Sequence, residues 1–178
     1  MMDVHEAIEI RKSVRAYDST PVPKDVLMKV LEAARHAPSA SNLQPWHFVV
    51  VTDAKKRKKL SGGMFGNFLA EAPVAIVGCG DPKVSPKWYM ADVAIALENM
   101  VLAATSEGLG TCWVGSFNEE EVKQALRIPD NYKIVALLAV GYPREKFDLT
   151  RKPEYSVQRR KELSKIVSYE EFGQFPTV

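Results

Sequence analysis

The sequence predicts a single domain that mixes α-helices with β-strands. Three observations point there. Helical stripes of apolar residues alternate along the chain with short apolar runs of strand length. One run, Ala72 to Val77, is nearly all apolar, as expected of a strand covered on both faces. The 178 residues contain no internal repeat and no linker that would split them, and 46% hydrophobic with 26% charged residues is ordinary for a globular chain.

The elements follow in order. Asp3 and Glu6 form a capping-box pattern, and Val4, Ala7 and Ile8 give a stripe that ends near Lys12, with Arg11 still helical. A second helix follows TPVPKD, with Leu27, Val30, Leu31 and Ala34 at helical spacing, and Pro38 ends that pattern just beyond His36. Trp46 to Thr52 reads as a strand, with a short basic helix and the glycine-rich loop SGGMFGNF (61–68) behind it. After the strand at Ala72 to Val77, a long helix runs from about Trp88 to Ser106 and is capped at Gly108. GLGTCWVG turns into a third strand, Asn118 with three glutamates starts an acidic helix, and Lys133 to Gly141 is a fourth strand. Beyond Pro143 the chain is polar and basic, with a weak helical signal from Val157 to Ile166.

Several function classes lose support at this level. Net charge is +2 with scattered basic residues, so no nucleic-acid partner is expected, and KKRKK at 55–59 reads as a solvated helix face. Asp92, Glu98 and Asn99 interrupt the longest apolar stretch, which is too polar to span a bilayer. The N-terminus lacks a signal-like region, so a cytoplasmic protein is expected. Cys79 and Cys112 have no CxxC spacing, and His5, His36 and His47 show no metal-ligand spacing; buried reduced thiols and no metal site are the expectation. GCGDP at 78–82 places its third motif position on Lys83, and Pro82 and Pro86 delay the next helix, which argues against a dinucleotide loop. Neither a P-loop nor a GxSxG nucleophile elbow occurs.

The stretch RKSVR (11–15) places donors at alternate positions where the first helix runs out. Extended there, Arg11, Ser13 and Arg15 face a common anionic partner, with guanidinium forks and a hydroxyl suited to phosphate oxygens. Taken singly it fits equally a cation-rich helix end that complements the helix dipole. The loop PSASNLQPW (38–46) adds small and polar side chains directly before a strand.

Taken together, RKSVR, PSASNLQPW, GLGTCWVG and TRKP (150–153) resemble the FMN-binding nitroreductase family, in this order and from about Asp3 to Phe172. The resemblance implies an α+β nitroreductase fold, with a mixed, mostly antiparallel sheet flanked by helices. It implies one domain over 1–178, in which 144–178 is an extension embracing the partner of a homodimer, with FMN at the subunit interface. Tyr155, Ile166, Val167, Tyr169, Phe172 and Phe175 would give that tail its apolar grip.

By the same resemblance Arg11 and Ser13 address the phosphate and ribityl end, and Arg15 the N1–C2 edge of the flavin. Lys12 stands where the family usually has a second arginine, which keeps the charge but not the fork. Pro38, Ser39, Ala40, Ser41 and Asn42 would contact the FMN held mainly by the other subunit, with Gln44-Pro45-Trp46 anchoring the loop and Trp46 serving in packing. Backbone of Trp113, Val114 and Gly115 would approach N5, Asn67 would meet the pyrimidine edge, and Arg151 would close over the phosphate. Phe65, Phe68, Trp88 and Tyr89 are candidates to line a substrate lid.

The implied activity is an FMN-dependent NAD(P)H oxidoreductase. It reduces nitroaromatic, quinone or related electron-poor small molecules by a ping-pong mechanism, with NADH or NADPH as donor and no catalytic side chain. Two other readings share the cofactor: a flavin-binding or storage protein without turnover, and a relative with a specialised reaction such as reductive dehalogenation. A further one discards the flavin, leaving a dimeric structural protein.

Overall fold

The computed structural model describes residues 2–61, 67–144 and 160–174. The chain divides into two compact units, Met1–Lys146 and Phe147–Val178.

In the first unit, helices α1 (Val4–Ile10) and α2 (Lys24–Arg35) precede strand β1 (Trp46–Val51). Then come α3 (Ala54–Leu60), α4 (Asn67–Glu71), β2 (Val74–Gly80), the long α5 (Tyr89–Ser106), β3 (Gly110–Val114), α6 (Glu119–Leu126) and β4 (Lys133–Gly141). The strands form one antiparallel sheet in the order β1-β2-β4-β3, an α+β arrangement. A parallel bridge joins Ser13 to Thr111 at its β3 edge.

Alternation along the strands builds a core on each face. Ile76 and Leu138 pack with Val30, Ala34, Val93, Leu97 and Met100 of α2 and α5. Val77, Cys79, Leu137 and Ala139 pack with Leu60, Leu69 and Val122 on the other face. Strand β2 is buried along its whole length. The glycines of GCGDP serve this packing: a Cβ on Gly78 would lie 2.8 Å from Leu97 Cδ1, and one on Gly80 2.7 Å from Tyr89 Cδ2. They let α5 cross close to the sheet.

Local chemistry sets most boundaries. Asn118 caps α6 by accepting from the amides of Glu120 and Glu121 at 3.1 and 3.3 Å, and Asp53 caps α3 through the Lys56 amide at 2.8 Å. Gly108, at φ +77°, ends α5. Among the described residues, no helix is long and apolar enough to cross a membrane.

Four local expectations need correction. Asp3 sits at the N-cap of α1 without a side-chain capping bond, so no capping box forms at this solvent-exposed end. Helix α1 stops at Ile10, because Arg11 turns extended (ψ 134°) and leads the chain to its pairing with β3. Strand β2 starts two residues after Ala72 and runs on through the glycines to Gly80, because Cβ-free positions are what α5 packs over. Of the helical signal at 157–166, the described part forms only a 3-10 turn, Leu163–Lys165, and residues 157–159 lie outside the described ones.

The second unit is described over 160–174. Its backbone folds back on itself through Tyr169 N–H to Gln174 O (2.8 Å) and Gly173 N–H to Ser168 Oγ (2.9 Å). Leu163, Ile166, Tyr169 and Phe172 are all exposed there.

Candidate functional site

The basic segment is held against β3 by its backbone. Val14 N–H donates to Thr111 O at 2.8 Å, and the buried Tyr17 hydroxyl donates back to Val14 O at 2.6 Å. Burial pushes the Tyr17 phenol well above its usual range, so it stays a neutral donor despite the opposing charge of Arg15. With Val14 and Tyr17 turned inward, Ser13 and Arg15 point outward; Lys12 is also exposed and Arg11 half-buried. Gly110 makes the approach feasible, since a Cβ there would lie 2.6 Å from Val14 Cγ2 and 3.0 Å from Pro143 Cγ. Among the described residues, Arg11, Lys12, Ser13 and Arg15 have no side-chain hydrogen-bond or ion-pair partner. The result is a group of cations and a hydroxyl free to take an external anion.

The loop before β1 is the second feature. Ser41 (φ 49°), Asn42 (φ 55°) and Gln44 (φ 49°) all take the left-handed conformation that L-residues disfavour. Internal bonds hold the turn: Gln44 N–H to Ser39 Oγ at 2.9 Å, Asn42 N–H to Ser39 O at 2.9 Å and Leu43 N–H to Ala40 O at 3.0 Å. Ser39 and Ala40 are half-buried, while Pro38, Ser41 and Asn42 are exposed. Pro45 is buried and Trp46 packs on the α2–α5 core, so Trp46 has the packing role expected of it.

The remaining candidates are more scattered. Trp113 is half-buried and Val114 buried at the end of β3, with Gly115 exposed just beyond and open space where its Cβ would be. Asn67 is exposed at the start of α4. Arg151 and Phe65 lie outside the described residues; Phe68 and Tyr89 are half-buried, and Trp88 is 59% exposed.

The sheet register measures how far apart the two main segments lie. Thr111 pairs with Val140, which pairs with Val74, and Val74 is level with the residue after Val51. From there to Trp46 is roughly 20 Å along β1, and three strand spacings add roughly 14 Å across the sheet. With one further spacing from Thr111 out to Ser13, the basic segment and the loop of one chain occupy opposite corners, roughly 28 Å apart by the same geometry. Two surface cavities, of about 360 Å³ around Tyr17, Asp18 and Arg144 and about 230 Å³ around His47, Cys79 and Tyr132, include neither segment.

Sequence reasoning missed two aspartates that support the loop, Asp92 through its carboxylate and Asp81 through its backbone amide. Asp92 is 3% exposed within α5, and its Oδ1 accepts the Ala40 amide at 3.0 Å. Asp81 donates its own amide to Pro45 O at 2.9 Å. For Asp92 the signal was visible as one of two acids, with Glu98, inside the most apolar helix, where an unpartnered charge is costly.

Comparisons with known proteins agree with the fold. The model of the nitroreductase family matches residues 8–75 and 63–142. A protein of Archaeoglobus fulgidus that carries the provisional name NADH dehydrogenase/NAD(P)H nitroreductase is 40% identical over 156 residues, covering 83% of this chain and 90% of its own. A nitroreductase family protein of Clostridium novyi superposes with a TM-score of 0.76 at 37% identity, over 81% of this chain and 87% of that one. A Bacteroides fragilis nitroreductase solved with bound FMN gives 0.71 at 32% identity, over 85% and 94%. With a family model spanning most of its length and a relative this close, the chain belongs to the nitroreductase family.

Proposed function

We propose that the protein is an FMN-dependent NAD(P)H oxidoreductase. In this reading it is a cytoplasmic homodimer, working where NAD(P)H is held. It reduces nitroaromatics, quinones or related electron-poor molecules in ping-pong order. The observation that carries the reading is the outward-facing group of Arg11, Ser13 and Arg15, which meets no carboxylate among the described residues. Guanidinium forks and a hydroxyl suit a phosphate, and the family and the FMN-bound relative make that phosphate FMN's.

The residues fit the cofactor in kind. Arg11 and Ser13 would hold the phosphate and ribityl end, with Lys12 adding charge and Arg151 closing over it. Arg15 would place a fixed positive charge at the N1–C2 edge of the ring, and Asn67 a hydrogen bond at its pyrimidine side. The backbone of Trp113, Val114 and Gly115 would face N5. FMN, when bound, supplies the ring that accepts hydride from NADH or NADPH and delivers it to the acceptor. The chain contributes position and electrostatics, and no side chain of its own acts as nucleophile or general base.

The dimer explains how distant segments meet. A loop roughly 28 Å from the basic segment of its own chain cannot serve the same end of one ligand by the sheet geometry, whereas the loop of a second copy can. Exposed apolar side chains favour such a copy: Val4, Ile8 and Ile10 on α1 or its end, and Met90 and Ile95 on α5. The exposed Ile166, Tyr169 and Phe172 of the second unit fit an extension that grips a partner.

Subunit mixing tests the arrangement. One variant, Arg11→Ala with Arg15→Ala, loses the basic segment; another, Ser41→Trp, blocks the loop. Neither alone is expected to bind FMN tightly, while a mixture refolded together regains about one quarter of the sites by random pairing. A mixture that binds no better than its components contradicts the shared site.

A further inference from the structure

The loop that would meet FMN is built from disfavoured backbone, so something must hold it. Three of its residues, Ser41, Asn42 and Gln44, sit at positive φ without being glycine. We infer that Asp92, with Ser85 and Asp81, is a positioning group that clamps this loop at both ends in the conformation the cofactor needs. The inference rests on the FMN reading above.

The clamp is continuous. Asp92 Oδ1 accepts the Ala40 amide at 3.0 Å, and Oδ2 accepts the Ser85 hydroxyl at 3.1 Å. Ser85 is 1% exposed, and its own amide donates to Asp81 O at 3.2 Å. Asp81 then reaches the far end of the loop, its amide donating to Pro45 O at 2.9 Å. Its carboxylate is itself fixed, taking the Lys83 amide and Asn131 Nδ2, both at 2.8 Å. Ala40 and Pro45 thus bracket the residues at positive φ; Ala40 is tied to the first turns of α5 through Asp92, Pro45 to the turn between β2 and α5 through Asp81, and Ser85 joins the two.

The nature of Asp92 argues that holding the loop is its purpose. It is almost fully buried in a helix whose other buried residues are all apolar. Among the described residues it has no ion-pair partner, and its two hydrogen-bond donors are neutral. A buried carboxylate served this way is a costly choice for packing alone. It is an effective way to fix one backbone amide, because a charged acceptor makes the stronger bond. The same turn leads into Trp88 and Tyr89, so the clamp also ties the loop to the candidate lid residues.

The test compares Asp92→Ala, Asp92→Asn and Ser85→Ala with the wild-type chain. FMN affinity is read by flavin fluorescence at a temperature where far-UV circular dichroism shows each protein folded. The amide exchange rate of Ala40 is measured without FMN. Asp92→Ala is expected to weaken FMN binding 10- to 100-fold and to speed Ala40 exchange at least tenfold. Asp92→Asn keeps an acceptor for Ala40 and is expected to restore most of the binding. Ser85→Ala is expected to weaken binding three- to tenfold, and it decides the matter if Asp92→Ala does not fold. Folded variants that bind FMN as tightly as wild type overturn the clamp alone. A wild-type protein that refuses FMN overturns the cofactor reading and the clamp's purpose with it, even where Ala40 exchange still responds.

Discussion

The motif GLGTCWVG contains three glycines that the structure uses in three different ways, so replacing each with alanine gives three different outcomes. At Gly110 a Cβ would lie 2.6 and 2.8 Å from Val14 Cγ2 and Cβ and 3.0 Å from Pro143 Cγ. Val14 is β-branched, stiff, and tied to Thr111 by its amide, so it cannot rotate away. Overpacking of this kind costs about 1–3 kcal/mol, and losing the Val14–Thr111 bond adds about 0.5–1.5 kcal/mol. At about 2–4 °C per kcal/mol for a domain of this size, Gly110→Ala should lower Tm by roughly 3–18 °C. The basic segment moves with Val14, so FMN binding should weaken at least tenfold. At Gly108 there is open space but φ is +77°, so Gly108→Ala meets only backbone strain of about 1 kcal/mol. Gly115 has open space and no positive φ, so Gly115→Ala should leave the Tm of the cofactor-free protein within about 1 °C, as expected for an unconstrained surface site. Thermal unfolding without cofactor and fluorescence titration with FMN read all three. The reasoning is refuted if Gly110→Ala melts and binds like wild type, or if Gly115→Ala is the more damaging change.

Other predictions follow from single groups. Arg11→Ala and Arg15→Ala should each weaken FMN binding at least tenfold while barely changing the Tm of the cofactor-free protein, because neither cation has an ion-pair partner among the described residues to lose; a salt titration should show binding that weakens as ionic strength rises. Burial pushes the Cys79 thiol up to about 11, so its alkylation at pH 8 should be far slower than that of an exposed cysteine and should quicken as pH climbs. Because that folded value exceeds the unfolded one, the same group should make stability fall as pH rises from about 9 towards 11, seen as a declining Tm. Glu119 feels burial, which alone would raise it, but the Ile134 amide and Lys123 together hold it below the usual carboxylate range. Its contribution is therefore present above the unfolded value near 4.5 and lost in more acid solution, and Glu119→Gln should flatten that acid limb of the Tm profile.

Much of this was legible in the sequence, for reasons that can be named. Asn118 and Gly108 announce helix ends through side-chain capping and left-handed backbone, which are local effects. Lys133 to Gly141 reads correctly because a buried strand is simply a run of apolar residues. The errors lie where distant contacts override local preference. Arg11 has a helical neighbourhood, yet its backbone turns extended so that Val14 can pair with Thr111 nearly a hundred positions on. Gly78 and Gly80 look like loop residues and lie in a strand, because α5 needs the space. For the candidate site, RKSVR and PSASN carry hydrogen-bonding groups in their own side chains, so the sequence alone could nominate them. Asp92 could be seen as an anomaly in its helix, but its partner, the Ala40 amide, is visible only in three dimensions.

Holding a flavin and reducing it with a nicotinamide is the activity on which every assignment above depends. The most direct test is the visible spectrum of the purified protein, supplied with FMN if needed, before and after anaerobic addition of NADH or NADPH. The expected result is a bound flavin absorbing near the usual yellow bands that bleaches with at least one donor and recovers its colour when a quinone or nitroaromatic is added. A protein that binds no FMN, or a bound flavin that stays oxidised with both donors, would contradict it.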